Sequence, residues 1–507
     1  MPQGLVGEAK VFLRHSSVYG LANVLNRAVG FLMLPFYTVY LVPADYGRLE
    51  LLNVTTALLA ILIGFGFADA VGRFYFEGRT EKERGRAVST ALVGLSTLAL
   101  VITSALALVA PLGARLVLDD PGAVTEVHVA LAGLFFDLLI AIAFAYLRAV
   151  QASVIVSAFS LGRLVLSLAL NIVLLAAGYG VLGVLAATLI ANVLAATGLL
   201  ALVLRRVGFS VSRPVLREML RFGLPLIPSQ LANFLVVFSD RYFVKEYGSV
   251  AQAGLYSLGY KFGTIGHQFV TTPFTQVWTP RRIQHYDEPD ANRLYARLFS
   301  YFVALLAFAA LAISLFAEEL LALVTTPAFR SAHQVVPVLT LAHVVLAFFY
   351  HFQVNILMEK KTSYFAWINI LSGAAAVGLN FLLIPPFGAQ GAAWATLGAY
   401  VVRSGTCWLF AGRLGPVVTE WGRVGGALGS AVGLFVVSRV VPFATGWPSA
   451  TFDALLLAAY AGGLWLSGYF RGEPRPAAGL PAPGPWTTLD PAAAQPDAPA
   501  TPSRISR

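Results

Sequence analysis

Leu170-Asn171 opens a run that ends Gly180-Val-Leu-Gly183-Val-Leu-Ala-Ala187-Thr188, and Leu379-Asn380 opens one that ends Gly388-Ala-Gln-Gly391-Ala-Ala-Trp-Ala395-Thr396. Their Gly-x-x-Gly and Ala-Thr elements coincide at an offset of 208 (388 minus 180), with one gap before them. Upstream, Tyr40 and Gly47 match Tyr247 and Gly254 at an offset of 207 (254 minus 47). Two separate matches at nearly one offset point to a duplication. Glycine at such places permits a turn without Cβ strain and lets helices approach closely.

The units duplicated are membrane helices. The 507 residues are 58% hydrophobic and 12% charged, with a mean hydropathy of +0.74. A soluble domain carries about 25% charged residues. Apolar stretches of about 20 residues, enough to cross a ~30 Å hydrocarbon core, recur along the chain. They predict about fourteen spans: 17–40, 49–71, 87–110, 127–148, 153–176, 181–204, 222–245, 253–275, 296–317, 333–357, 364–386, 389–412, 424–441 and 453–470. The expected class is an all-α polytopic membrane protein. Its organisation is a six-helix lobe over 1–208, a second over 209–415, an extra helix pair over 416–470 and a tail over 471–507. Six is even, so both lobes have one orientation, the parallel-repeat arrangement of transporters that handle substrate between their halves. The Pro- and Ala-rich tail lacks large apolar residues and is expected to be disordered and cytoplasmic.

Met1–Arg14 is polar and runs straight into the first span, so no cleavable signal peptide is expected. With the N-terminus inside, 25 of the 35 Lys and Arg fall in cytoplasmic segments, six in outer loops (Arg48, Arg115, Arg241, Lys245, Arg330 and Arg439) and four within spans. That asymmetry is a positive-inside signal, and it explains the +10 net charge without nucleic acid. The lone Cys407 excludes a disulfide framework and a Cys-type zinc site. The sequence shows no phosphate-cradling loop, metal-ligand cluster or nucleophile–base arrangement. A transporter without cofactor is expected rather than an enzyme, driven by an ion gradient, the membrane potential or mass action.

A charge near the bilayer centre costs about 2.5–3.5 kcal/mol on insertion scales. Arg27, Arg163, Lys261 and Arg403 therefore need partners or a wet cavity. Asp137 of the fourth span is the expected partner of Arg163, or a proton- or cation-coupling site. Asp69 is expected to pair with Arg73 at i+4. His267, His343 and His351 are candidate proton carriers, and Phe348-Phe349-Tyr350 an aromatic cluster that packs.

The residues resemble a family. Phe222-Gly-Leu-Pro225-Leu-Ile-Pro228, Ser239-Asp240-Arg241-Tyr242-Phe243 and Ala253-Gly254-Leu-Tyr256-Ser257-Leu-Gly-Tyr260-Lys261-Phe262 carry most of the likeness. Leu34-Pro35-Phe36-Tyr37, Pro43-Ala44-Asp45-Tyr46-Gly47 and Arg73-Phe74-Tyr75-Phe76-Glu77 support it. In order and spacing the chain resembles, over about 1–412, the polysaccharide transporters of O-antigen flippase type. These belong to the multidrug/oligosaccharidyl-lipid/polysaccharide export superfamily. The resemblance implies two lobes around a cavity that opens alternately to each side of a bacterial or archaeal plasma membrane, with both termini cytoplasmic. It implies translocation of an oligosaccharide unit on a polyprenyl pyrophosphate, with H+ or Na+ and a glycan polymerase of the same pathway as further partners beside the membrane lipids. Arg27, Lys261, Arg403 and Arg163 then become candidates for gripping the pyrophosphate, and Asp137, Asp240, Arg241 and Asp45 for coupling or gating.

Three other functions compete. The lipid II flippase branch resembles this chain at Asn26-Arg27-Ala-Val-Gly30-Phe31 but carries an Arg-Asp pair about where Met33-Leu34 stands here. A cation-coupled drug exporter of the same fold would have a smaller, acidic cavity. A membrane glycosyltransferase or polymerase typically needs a catalytic carboxylate or large outer loops, whereas the loops expected here are short.

Overall fold

The computed structural model describes residues 30–284, 286, 291–441 and 447–470, and among them the regular structure is helical. Among the described residues, eleven helices are long and apolar enough to cross a membrane. The chain is a multi-pass membrane protein. Arg27 and the tail 471–507 lie outside the described residues, as does most of the first expected span.

In the first half, α1 (Leu34–Tyr40), α2 (Pro43–Gly64) and α3 (Phe67–Glu77) precede α4 (Glu81–Leu108), the short α5 (Ala110–Leu118), α6 (Val124–Ala149), α7 (Ser153–Ala176) and α8 (Gly180–Val207). The second half runs α9 (Arg213–Gly223), α10 (Ile227–Tyr247), α11 (Val250–Gly263), a π turn at His267–Thr271, α12 (Thr272–Gln284), α13 (Ala291–Leu315), α14 (Ala317–Val324), a 3-10 segment (Pro327–Val335), α15 (Val336–Met358) and α16 (Ser363–Gly412). The pair α17 (Trp421–Val440) and α18 (Trp447–Leu466) follows. Each half has its own apolar core, one built from Leu41 through Met219 and one from Val236 through Val424.

The repeated glycines do what their positions predict. Gly180 and Gly388 both take a positive φ, +53° and +56°. Each reverses the chain into a tight antiparallel helix pair. Gly183 then packs on Leu174 and Gly391 on Leu383, so closely that a Cβ at Gly391 would overlap the Leu383 carbonyl oxygen. Small residues are what membrane helices use to gain van der Waals contact, because lipid supplies no hydrophobic drive between them.

The upstream pair, Gly47 and Gly254, meets at the boundary of the halves. A Cβ on Gly47 would overlap the Val250 carbonyl, and one on Gly254 the Pro43 carbonyl. Equivalent glycines thus face each other where α2 crosses α11. At the opposite end, α2 breaks at Phe65 and Gly66, both left-handed (φ 44° and 64°), and Gly223 lies against that break. The eighth span is broken too, at the π turn. The expected single spans 49–71 and 253–275 are each two helices.

Three local expectations change. Arg73 pairs with Glu77 at 2.7 Å instead of Asp69. Arg241 and Lys245, counted with the outer loops, are buried within α10. The basic segment between the halves is the amphipathic α9. Leu216 and Met219 pack on the first core, while Arg213, Arg217 and Arg221 share the other face, as a 3.6-residue period dictates.

Gly254→Val forces a branched side chain against backbone, and overpacking of this kind costs about 1–3 kcal/mol. It is expected to lower the thermal midpoint in detergent by several degrees. Gly378→Ala, where an added Cβ meets nothing within 4 Å, should leave the midpoint unchanged or raise it. Equal midpoints for the two variants would remove the glycine crossing as a determinant of packing.

Candidate functional site: a charged cavity in the first half

Proline at the N-terminus of α2 needs no intrahelical partner for its missing N–H, and the Asp45 carboxylate accepts from the Val42 backbone N–H at 3.5 Å. The helix therefore starts at Pro43. Tyr46 and Glu50, one turn apart, then project from the same face.

That face borders a cavity of about 750 Å³ lined by α2, α6, α7 and α8. Lys261 reaches it from α11. Its ammonium lies 2.6 Å from Glu50 Oε1 and donates to the Tyr46 hydroxyl at 2.7 Å. It also sits 5.0 Å from the centre of the Tyr46 ring. One cation of the second half is therefore held by a carboxylate of the first. Deeper in the first half, Arg163 of α7 meets Asp137 of α6 at 2.7 Å and donates to Asn192 Oδ1 of α8 at 3.2 Å. Neither cation is sealed off, since the Lys261 and Arg163 side chains remain 37% and 33% exposed. Asn53, Thr56, Ser167 and Asn171 add uncharged hydrogen-bonding groups to the wall.

Among the described residues two cations, Lys261 and Arg163, face two carboxylates, Glu50 and Asp137, in this lining. The formal charge is balanced, neither positive nor acidic. Such a site can exchange one anion for another. A phosphate or pyrophosphate oxygen that displaces Glu50 from Lys261, or Asp137 from Arg163, replaces one charge-assisted bond with another.

Of the eight candidate residues, three share this cavity: Lys261, Arg163 and Asp137. Asp240 and Arg241 form a separate buried pair at 2.7 Å. Tyr256 donates to Asp240 at 2.6 Å, and the Arg241 guanidinium lies 3.9 Å from the Tyr260 ring centre and donates to the Val237 carbonyl. Arg403 donates to Asn233 at 2.9 Å and covers the Phe349 ring. Asp45 caps α2. The candidate histidines sit in aromatic packing: His351 stacks on Phe299 with 3.9 Å between ring centres, and His343 lies edge-on to Tyr260 and Tyr400. Sequence reasoning missed Glu50, Tyr46 and Asn192. Pro43 as a helix start, read with Asp45 three positions beyond Val42, was the available signal for the first two. Among the described residues no cluster of His, Cys, Asp and Glu could hold a metal ion.

Comparison with known proteins places the fold. The structure is similar to the lipid II flippase MurJ in an inward closed conformation, with a TM-score of 0.73 at 13% identity, over 89% of this chain and 99% of that one. It is also similar to an inward-facing multidrug resistance MATE family transporter of the MOP superfamily, with a TM-score of 0.62 at 19% identity, over 79% and 95% of the two chains. A third similar structure is a MOP superfamily transporter from Pyrococcus furiosus, described by a reversed polarity of its binding pocket, with a TM-score of 0.54 at 19% identity over 82% and 93%. No curated protein matches the sequence. Residues 12–286, more than half of the chain, match the polysaccharide biosynthesis protein family, Polysacc_synt, and the chain belongs to that family.

Proposed function

We propose that the chain is a flippase that carries polyprenyl-pyrophosphate-linked oligosaccharide units across a bacterial or archaeal plasma membrane for surface polysaccharide synthesis. The observation that supports this best is the Lys261–Glu50 contact: a cation of the second half, on the wall of the first-half cavity, held by a displaceable carboxylate. In this reading the substrate pyrophosphate takes over Lys261 and Arg163, while the hydroxyl- and amide-bearing wall meets the glycan. Arg27 stands three residues before the cavity-lining Gly30 in the sequence and is assigned to the same anion. Release of Glu50 loosens the crossing of α2 and α11, and the lobes 1–208 and 209–415 rock about it in alternating access. The termini and the tail 471–507 are cytoplasmic, as the basic residues indicate. Asp137 is the group placed to take a proton or Na+ when Arg163 turns to the substrate. Asp240, Arg241 and Asp45 brace the end of the halves where α2 and α11 cross, and Arg403 braces the second half.

The balanced lining differs from the acidic cavity expected of a drug exporter. It does not provide the excess of cations that would by itself mark a pyrophosphate site, so the reading leans on family membership and on the exposure of both cations. Lipid II is the alternative that the structural likeness to MurJ supports. Against it stands Met33, a buried apolar residue on the cavity wall, about where the lipid II branch carries a charged pair.

Translocation of a polyprenyl-pyrophosphate oligosaccharide into glycosidase-accessible form in proteoliposomes measures the proposal. Arg27→Ala and Lys261→Ala are each expected to lower the rate by about tenfold or more, equivalent to ~1.4 kcal/mol of lost interaction. Full activity in both at normal expression would sink the cation grip, and transport of lipid II alone would reassign the substrate.

A second measurement concerns the pair itself. Glu50 is 13% exposed, so Lys261→Met strands a nearly buried carboxylate. The Lys261→Met/Glu50→Gln double variant should be more stable than Lys261→Met, with a coupling of about 1–3 kcal/mol in thermal unfolding. Additive single effects would show that the two groups do not depend on each other.

A further inference from the structure

Lys245 stands in the last turn of α10, and its side chain is only 5% exposed. A buried ammonium needs acceptors, and this one finds them in the other half. Its Nζ lies 2.6 Å from Asp119 Oδ1 and donates to the Leu116 carbonyl at 2.9 Å. Both acceptors belong to the C-terminal end of α5. The last carbonyls of a helix have no intrahelical donor, and the negative end of the helix dipole favours a cation. The helix stops at Asp119 with φ of +54°, a left-handed conformation that the short polar side chains of Asp and Asn tolerate. Arg48 of α2 holds the neighbouring Asp120 at 2.6 Å, so the turn that presents Asp119 is fastened within the first half.

One turn earlier on the same face of α10, the Tyr242 hydroxyl lies 2.8 Å from Thr55 Oγ1 of α2. That face therefore meets the first half twice. Arg48, near the start of α2, puts the Lys245 contact at the same end of the molecule as the Gly47–Gly254 crossing. The Lys261–Glu50 pair also joins the halves, but its surroundings differ. Lys261 and Glu50 line the charged cavity, where an arriving anion can reach them. Neither Lys245 nor Asp119 lines it.

We propose that Lys245 is a latch. Its bonds to Asp119 and to the end of α5 hold the halves together at the end where α2 crosses α11, and they part before that end opens. The proposal rests on two halves that rock, and not on which substrate they carry. An anion in the cavity displaces Glu50 from Lys261 but does not touch Lys245. Opening this end therefore takes two events, one inside the cavity and one outside it, and anion arrival alone leaves the end shut. Lys245 is a positioning residue: it sets the balance between closed and open without meeting the substrate.

The full-length chain in lipid nanodiscs, without substrate, tests this. Cys407, the one cysteine of the sequence, is buried, so spin labels go to introduced cysteines. Leu112→Cys with Arg330→Cys reports the latched end, and Lys82→Cys with Arg281→Cys the opposite end; all four positions are exposed. Lys245→Met is expected to raise the ratio of long to short distances at the latched end about tenfold. Rocking requires a matching shortening at the opposite end. Asp119→Asn keeps the left-handed turn and removes only the charge. It should act in the same direction and less, because the Leu116 carbonyl still accepts from Lys245. The double variant should go no further than Lys245→Met, since the two groups act as one. If Lys245→Met does not fold, Asp119→Asn decides alone. Unchanged distances in Asp119→Asn, or lengthening at the latched end with no change at the opposite one, would overturn the latch. The distances are read without substrate, so the latch and the flippase reading fail separately.

Discussion

Ions held where water is scarce govern the architecture of this protein. A lone guanidinium or ammonium at the bilayer centre costs about 2.5–3.5 kcal/mol on insertion scales, and Arg163, Arg241, Arg403 and Lys261 each have a partner that offsets the cost. Arg163 has Asp137 and Asn192, Arg241 has Asp240 and the Val237 carbonyl, Arg403 has Asn233 and a ring face, and Lys261 has Glu50 and Tyr46. The first two carboxylate pairs lie within one half. Lys261–Glu50 spans the two. Moving α2 away from α11 separates this charge pair, unless another anion arrives at Lys261 or a cation at Glu50. The glycine crossing at Gly47 and Gly254 keeps the backbones close enough for that pair to form. Packing and electrostatics thus act at the same place and in the same direction.

Much of this was legible in the sequence because its signals are one-dimensional. Span length follows from bilayer thickness, the turns at Gly180 and Gly388 follow from a repeated Gly-x-x-Gly, and Arg163 with Asp137 follows from two charges too costly to leave alone on neighbouring spans. Other features were hidden for definite reasons. A hydropathy window starts a span where polar residues end, so it began the second span at 49, which left Tyr46 in a loop and Glu50 at the edge of the span. Helix-start chemistry at Pro43 places Tyr46 one turn and Glu50 two turns inside the helix. The same bias put Arg241 and Lys245 in an outer loop although both are buried. Arg73 had acidic neighbours at i−4 and i+4, and spacing alone does not choose between Asp69 and Glu77. Three-dimensional closeness of Lys261 and Glu50, 211 positions apart, has no sequence signature at all.

Duplication also explains why the site is asymmetric. At the offset of 207, cavity-lining Asn53 corresponds to Tyr260, and at 208, cavity-lining Asn192 corresponds to Tyr400. Tyr260 and Tyr400 are buried, and their hydroxyls lie 3.2 Å apart. Two small polar residues leave room in one half, and two aromatic side chains fill the equivalent place in the other. His343 and the Arg241 guanidinium pack against the same rings. A parallel repeat starts with two equal pockets. Filling the equivalent place with aromatics in the second half leaves the charged cavity to the first. Lys261, anchored on the packed side, reaches into the open one, where it meets Glu50.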